Sequence, residues 1–315
     1  MNKLSLIKPF IKTNIFDKCF ISSIADDSRD IKKNSLFVAR QGVNSHGLKF
    51  AKQAIKNGAS CIISDQNLEE ELEVPFYFFN NLEEKITEIL YKFYGLNEEK
   101  FIFHGVTGTN GKTTTAFMAH NIIRELNRPS IYIGTLGAII NDSSFKTKGN
   151  TTPGIFEIFK ILKACNSKED IYVFLEISSH ALVQKRLCNL LFNQTIILNI
   201  QSDHMDYHKT YENYIDSKLS ITKLNNKNPT IIFIDHMHHL IESLSPDQKK
   251  QISASKHLSS KDTSAILNYS FEYNPEECSK INLNFPNLVL EINVSLFLKF
   301  NIDNYISALA LISDS

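Results

Sequence analysis

Gly105-Val106-Thr107-Gly108-Thr109-Asn110-Gly111-Lys112-Thr113-Thr114-Thr115 is the stretch on which the reading of the chain turns. The apolar, β-prone run Phe101-Ile102-Phe103 precedes it, and Ala116 to Leu126 after it has the composition of a helix. A strand, a glycine-rich turn and a helix N-terminus together form a phosphate cradle, in which backbone N–H groups and the helix dipole favour anions. Gly105 and Gly108 allow a backbone path that a Cβ would obstruct. Lys112 is placed to reach terminal phosphates, and the Thr113 hydroxyl to sit on Mg²⁺. The spacing is not the plain Walker pattern, which requires glycine at Val106; the chain carries GxxGTNGKTT instead. This is a nucleotide site.

Bulk properties narrow the classes around it. The 315 residues suit two domains, and 43% hydrophobic content supports ordinary cores. Lys+Arg and Asp+Glu are 34 each, so no chain-wide field for nucleic acid exists. Cys19, Cys61, Cys165, Cys188 and Cys278 are scattered without CxxC spacing, as in a reduced, cytoplasmic protein. No apolar run approaches the roughly 20 residues that span a bilayer, and no signal-peptide order is present at the N-terminus. A cytoplasmic monomer without nucleic-acid or membrane partners is expected.

Residues 1–97 read as a small α/β domain. Ser35 to Ala39, Ala59 to Ser64 and Pro75 to Phe79 are predicted strands; His46 to Asn57 and Leu82 to Tyr94 are predicted helices. Asp27-Ser28-Arg29 and the loop from Gln41 to Gly47 lie at strand ends, where ligands are commonly held, although on their own such residues read first as capping and turn residues. Leu96 to Lys100 is the expected linker to a second domain, 98–315.

In that second domain Ser130 to Thr135 is a predicted strand. Asn150-Thr151-Thr152-Pro153 precedes a helix from Gly154 to Ala164, with Thr152 as its expected N-cap and Pro153 in its first turn. Ile171 to Ile177 reads as a buried parallel strand with one acid, Glu176, at its C-terminal end. A lone acid there is costly unless it is paired or bound to metal, and that end of an open α/β sheet is where ligands bind. Ser178 to Arg186 follows as a polar loop; its Ser–His adjacency does not make a hydrolase triad, and no G-x-S-x-G elbow exists. Thr195 to Ile200 is another buried strand, ending in Asp203-His204-Met205-Asp206-Tyr207-His208, which offers Mg²⁺ or phosphate ligands. Lys218, in the helix from Tyr211, reads as an ordinary surface residue. The histidines of Asp235 to His239, after a strand at 230–234, would be spread around a helix and make a poor metal site.

GVTGTNGKTTT, NTTP, EISSHALVQKR and DHMDYH, with a lysine fourteen residues beyond its first histidine, together resemble the Mur ligases of peptidoglycan synthesis. SSHAL points within that family to the branch that adds a diamino acid to UDP-N-acetylmuramoyl-L-alanyl-D-glutamate, and DSR…SLFVARQGVNSHG resembles its UDP-binding domain. The resemblance implies a UDP-sugar-binding α/β domain and a central ATPase domain with a largely parallel sheet. It implies ATP and Mg²⁺ as cofactors, with Gly108, Thr109, Asn110, Gly111, Lys112, Thr113, Thr114 and Asn301 on ATP. Thr113, Glu176, His204 and Lys218 would serve the metal ions, Lys218 as a carbamate that turns a cation into an anionic ligand. Lys112, Lys218, His204 and Glu176 would carry the chemistry. Ser28, Val43, Asn44, Ser45, Asn150, Thr151, Thr152, Ser178, Gln184 and Arg186 would contact the UDP-sugar-dipeptide, and the acceptor would be meso-diaminopimelate or L-lysine. Asp235 to His239 stands where the family has an asparagine-and-aspartate signature. Phe300 to Tyr305 resembles the end of the central domain, so a C-terminal, amino-acid-binding domain is expected to be absent from these residues. The competing readings are a non-catalytic nucleotide- and UDP-sugar-binding remnant and a folylpolyglutamate-synthase-like ligase.

Overall fold

The computed structural model describes residues 20–42, 45–165, 167–226, 228–262, 265–274, 276–286, 288–295 and 298–313. They form two compact units, the first running through Glu98 with Gly154–Cys165 and Leu187–Leu190 added, the second holding the rest.

In the first unit β1 (Ser23–Ala25), β2 (Ser35–Ala39), β3 (Ala59–Ser64) and β4 (Phe76–Phe78) form a parallel sheet in that order. Every residue of β2 is buried, as expected for an inner parallel strand covered on both faces. The predicted helix over 46–57 is split: a 3-10 turn, Gly47–Phe50, precedes α1 (Ala51–Lys56). The His46 ring sets that start by accepting the Leu48 N–H through Nδ1 at 3.2 Å. Helix α2 (Leu82–Tyr94) stops at Gly95, whose φ of 62° suits glycine. The N–H groups of Gly95 and Leu96 reach back to the carbonyls of Lys92 and Tyr91, closing the helix end. Helix α4 (Ile155–Ala164) packs against α2, with the Tyr91 and Phe159 rings edge to face at 4.7 Å.

The start of α4 corrects the sequence reading. Gly154, not Thr152, is its N-cap, and Pro153 lies outside the helix. The Thr152 hydroxyl is committed elsewhere: it donates to the Glu176 carbonyl at 2.8 Å and accepts the Ser178 N–H at 2.9 Å.

The second unit is built on one eleven-stranded sheet. Its strands are β5 (Phe101–Thr107), β6 (Ser130–Gly134), β7 (Gly137–Ile140), β8 (Ser143–Phe145), β9 (Ile171–Glu176), β10 (Gln194–Ile197), β11 (Ile231–Phe233), β12 (Lys256–Ser259), β13 (Leu267–Glu272), β14 (Ser279–Phe285) and β15 (Leu288–Val294). The order is β15-β14-β13-β12-β11-β10-β5-β9-β6-β7-β8, parallel from β13 to β6 and antiparallel at both edges. Helices α3 (Lys112–Glu125), α5 (Ser179–Val183), α6 (Met205–His208), α7 (Tyr211–Leu219), α8 (Pro246–Ser253) and α9 (Lys299–Ile312) complete the unit. Among the described residues, no helix is long and apolar enough to cross a membrane.

Strand β5 lies between β9 and β10, yet the chain leaving β5 passes through α3 to β6, beyond β9. The chain later returns from β9 to β10 on the other side of β5. This reversal makes the C-terminal ends of β5, β9 and β10 a topological switch point, where an open α/β sheet leaves a crevice. Val106, Phe174, Ile196 and Leu198 of these strands and their ends share one core with Ala116, Ala119 and Ile123 of α3.

Candidate functional site

The loop after β5 is shaped from both flanks. Gly111 takes φ 86° at the N-cap of α3, and a Cβ there would run into Oδ1 of Asn304 on α9. Helix α3 has no side-chain cap hydrogen bond, which leaves the N–H groups of its first turn for an acceptor outside the helix. Asn199, just past β10, clamps the loop. Its Oδ1 accepts the N–H groups of Thr109 and Asn110 at 3.0 and 2.9 Å, and its Nδ2 donates to the Asn110 carbonyl at 3.1 Å. Those two amides are therefore engaged, leaving the start of α3 as the donor set. The sequence reading did not single out Asn199.

Two lysines converge on the same turn. Lys112 Nζ donates to the carbonyls of Gly108 and Thr109, both at 2.9 Å, and Lys218 Nζ donates to the Gly108 carbonyl at 2.8 Å. The surface placement expected for Lys218 is wrong: it is 1% exposed. Helix α7 lays its polar residue under the loop, with Nζ 4.7 Å from the Tyr214 ring centroid. Burial, then the charge of Lys112, pushes the Lys218 ammonium down to about 7. Burial also lowers Lys112.

Glu176 ends β9 facing this loop and is fully buried. Its Oε2 accepts the Thr113 hydroxyl at 2.8 Å and the Thr135 hydroxyl at 3.2 Å, while Oε1 accepts the Thr135 N–H at 2.9 Å and the Tyr132 hydroxyl. No lysine ion pair to it occurs among the described residues. Hydroxyls and one amide satisfy it instead, leaving a hard oxygen beside the start of α3.

The remaining predicted residues fall into two groups. In the second unit, Thr152 holds Ser178, whose hydroxyl caps α5 by accepting the Ala181 N–H at 3.2 Å. Arg186 reaches the Thr152 carbonyl at 3.0 Å and the Gln184 side chain at 2.8 Å. Thr151 accepts a weak bond from Thr135 at 3.4 Å, and Asn150 is exposed. His204, in the left-handed region at φ 54°, sets its ring 4.9 Å from that of His180 and 3.5 Å from Asp203. In the first unit Ser28 is buried, its carbonyl held by Asn57 Nδ2 at 2.7 Å, and the Ser45 carbonyl accepts the Gly42 N–H at 3.1 Å. Val43 and Asn44 lie outside the described residues.

A cavity of about 370 Å³ adjoins the loop, lined by Asn110, Gly111, Thr114, Asn199, His236, Phe300, Asp303 and Asn304. Asn301 is not on its wall; its Oδ1 meets Asn304 Nδ2 at 3.5 Å. His236 turns to the Leu198 carbonyl and to Asp303, and among the described residues no group of three His, Cys, Asp or Glu is arranged to hold a metal ion.

The Mur ligase middle-domain model matches residues 106–312, and the model described as the Mur ligase family catalytic domain matches residues 20–88. The chain is 32% identical over 288 residues to a UDP-N-acetylmuramoyl-L-alanyl-D-glutamate–2,6-diaminopimelate ligase of Fusobacterium nucleatum, covering 90% of this chain and 57% of that protein. It is 38% identical over 218 residues to the like-named ligase of Clostridium tetani, covering 68% of this chain and 44% of that one. A solved structure of a UDP-N-acetylmuramoyl-L-alanyl-D-glutamate–2,6-diaminopimelate ligase shares the fold at TM-score 0.77 and 20% identity, across 100% of this chain and 63% of that chain. The chain thus spans about half the length of the curated relatives it matches.

Proposed function

We propose, from the premise that this chain belongs to the Mur ligase family, that it binds ATP and a UDP-N-acetylmuramoyl-dipeptide and takes part in ATP-dependent amide formation. Its supporting observation is the convergence of Lys112, Lys218, Thr113 and Glu176 around one turn at the ends of β5 and β9. The acceptor is a diamino acid, and the relatives' names favour 2,6-diaminopimelate. ATP and UDP-linked precursors place the reaction in the cytoplasm.

In this reading the D-glutamyl carboxylate oxygen attacks the γ-phosphorus, the bond to the β-phosphate oxygen breaks, and ADP leaves. The amine nitrogen then attacks the acyl carbon, inorganic phosphate departs, and the nitrogen gives up a proton. Little covalent work falls to the protein; positioning and charge neutralisation carry the rate. Lys112 would swing from the loop carbonyls to the phosphates, exchanging neutral acceptors for charged ones. The N–H groups at the start of α3 would hold the phosphate oxygens in line.

The residues present fit Mg²⁺, which takes one or two carboxylates together with phosphate oxygens rather than an all-protein cage. Glu176 Oε2 and Thr113 Oγ1, 2.8 Å apart, are hard oxygen donors at the helix start. His204 and a carbamylated Lys218 would serve a second ion. A buried amine with its pKa near 7 is available in the neutral form that carbamylation needs. Mg²⁺ supplies neutralisation of phosphoryl charge.

Lys112→Ala is expected to weaken ATP binding about 10²- to 10⁴-fold, in line with the roughly 3–5 kcal/mol cost of removing one partner of a buried charge pair. Far-UV circular dichroism should not change, because Asn199 still clamps the loop. Calorimetric titration of both proteins decides; equal affinities would remove the phosphate-loop assignment.

A further inference from the structure

Tyr132 is a fully buried phenol in β6, and its hydroxyl is aimed at Glu176 Oε1. Neighbouring rings fix its plane: Phe117 lies edge to face at 5.6 Å and His120 lies tilted to it at 6.4 Å, both from α3. The same carboxylate oxygen accepts the Thr135 N–H at 2.9 Å, so two rigid donors from one strand end hold it. Among the described residues Oε2 accepts hydrogen bonds from hydroxyls alone, Thr113 at 2.8 Å and Thr135 at 3.2 Å, which rotate and expose lone pairs when a cation approaches. The backbone is cut to match. A Cβ at Gly134 would collide with Glu176 Oε1 and with the Tyr132 hydroxyl, so glycine alone leaves room for the clamp.

We propose that Tyr132 is a positioning residue that, with the Thr135 amide, reserves Oε1 of Glu176 and presents Oε2 alone to the cation of a bound nucleotide. The inference rests on the reading of this site as one for a magnesium–nucleotide complex. A free buried carboxylate can rotate and chelate a cation through both oxygens. With Oε1 held, Glu176 offers a single oxygen in a fixed direction, as the octahedral geometry of Mg²⁺ demands. Partners one shell out from a ligand set its orientation, and losing one typically lowers metal affinity 10- to 100-fold.

The test titrates ADP into the 315-residue chain at rising Mg²⁺ concentrations, and records the Mg²⁺ midpoint of the gain in affinity. In Tyr132→Phe the midpoint is expected to rise 10-fold or more, while metal-free ADP affinity stays at the wild-type value. In a Glu176→Gln background, adding Tyr132→Phe should change the midpoint no further, because the oriented carboxylate is already gone. A mere packing role for Tyr132 would leave the midpoint unmoved or shift it equally in both backgrounds, and either result overturns the proposal. If the wild type binds ADP with no Mg²⁺ dependence, the reading of the site as one for a magnesium–nucleotide complex falls and the proposal with it. Should Tyr132→Phe not fold, Gly134→Ala takes its place: it keeps the phenol and drives a methyl against Oε1. The same midpoint rise is expected there, and an unchanged midpoint counts against the clamp.

Discussion

Between pH 6.5 and 4 the second unit is expected to lose about 6 kcal/mol of stability through two buried histidines, His104 and His120. His104 sits in β5 with no exposed surface, its ring stacked on Phe174 at 4.9 Å. His120 is equally buried in α3, bonded through Nδ1 to the Ser130 hydroxyl at 2.7 Å. Burial pushes both rings down to about 4, and the Arg124 charge adds to the effect at His120. The unfolded chain takes up protons from about 6.5 downward while the folded chain does not. Stability is therefore full above pH 6.5 and falls as pH drops toward 4, by about 3 kcal/mol per histidine at about 1.4 kcal/mol per tenfold change. Urea unfolding of the wild type and of His104→Phe/His120→Gln at several values in this range measures the difference. The variant should keep a shallower pH slope; parallel slopes would show that other groups govern acid unfolding. Carboxylates such as Asp235, held low by the Ser259 and Ser260 hydroxyls and the Ser260 N–H, titrate in both proteins and cancel.

How much of this could be read beforehand depends on whether a residue's environment is local. The loop from Gly105 to Thr115 is legible because strand, glycine and helix start are adjacent in the chain, although α3 begins at Lys112, inside the predicted turn. Glu176 is legible because one acid closes an otherwise apolar run, and burial makes that arrangement costly. Lys218 is not. Helix α7 reads YENYIDSKL, and nothing in its spacing separates the lysine from its polar neighbours. Its burial arises from packing against a loop more than a hundred residues earlier, which only the fold supplies.

Thr152 shows the opposite failure. A threonine before a proline and a helical run is a sound N-cap signal, but the hydroxyl has stronger partners at the end of β9. Asn199 and Tyr132 act on groups far away in sequence, so their roles are invisible until the strands are aligned. Tyr132 does leave a trace, as a phenol in a wholly buried strand that needs an acceptor. The hairpin β14–β15 stood outside the sequence reading. Its alternation is present all the same: Ser279, Ile281, Leu283 and Phe285 are buried on one face of β14, with partly exposed or exposed residues between them.

Lys218→Met is expected to flatten a rise in stability that the wild type shows between pH 7 and pH 9. A lysine whose amine falls to about 7 in the folded chain and stays near 10.5 in the unfolded one sheds its proton on folding across that interval. The unfolded state then binds more protons, so stability climbs with pH and is lost as pH falls through 7. Over the two pH units the gain is about 2 kcal/mol, because the folded amine is already half deprotonated at pH 7 and each further unit is worth about 1.4 kcal/mol. Below pH 7 the wild type must bury the ammonium, helped by the Gly108 carbonyl, the Tyr214 ring and the Asp203 charge, and the methionine variant should be the more stable protein. Chemical denaturation of both proteins at pH 6, 7, 8 and 9 gives the comparison. Stopping at pH 9 keeps buried tyrosines such as Tyr214, pushed up to about 12, out of the range. A constant difference across the series would mean the amine is solvated by some local opening, and the case for a neutral, carbamate-forming lysine would lose its physical basis. A slope confined to the wild type would tie the instability of this residue to the one chemical form in which it can take up carbon dioxide beside the phosphate loop.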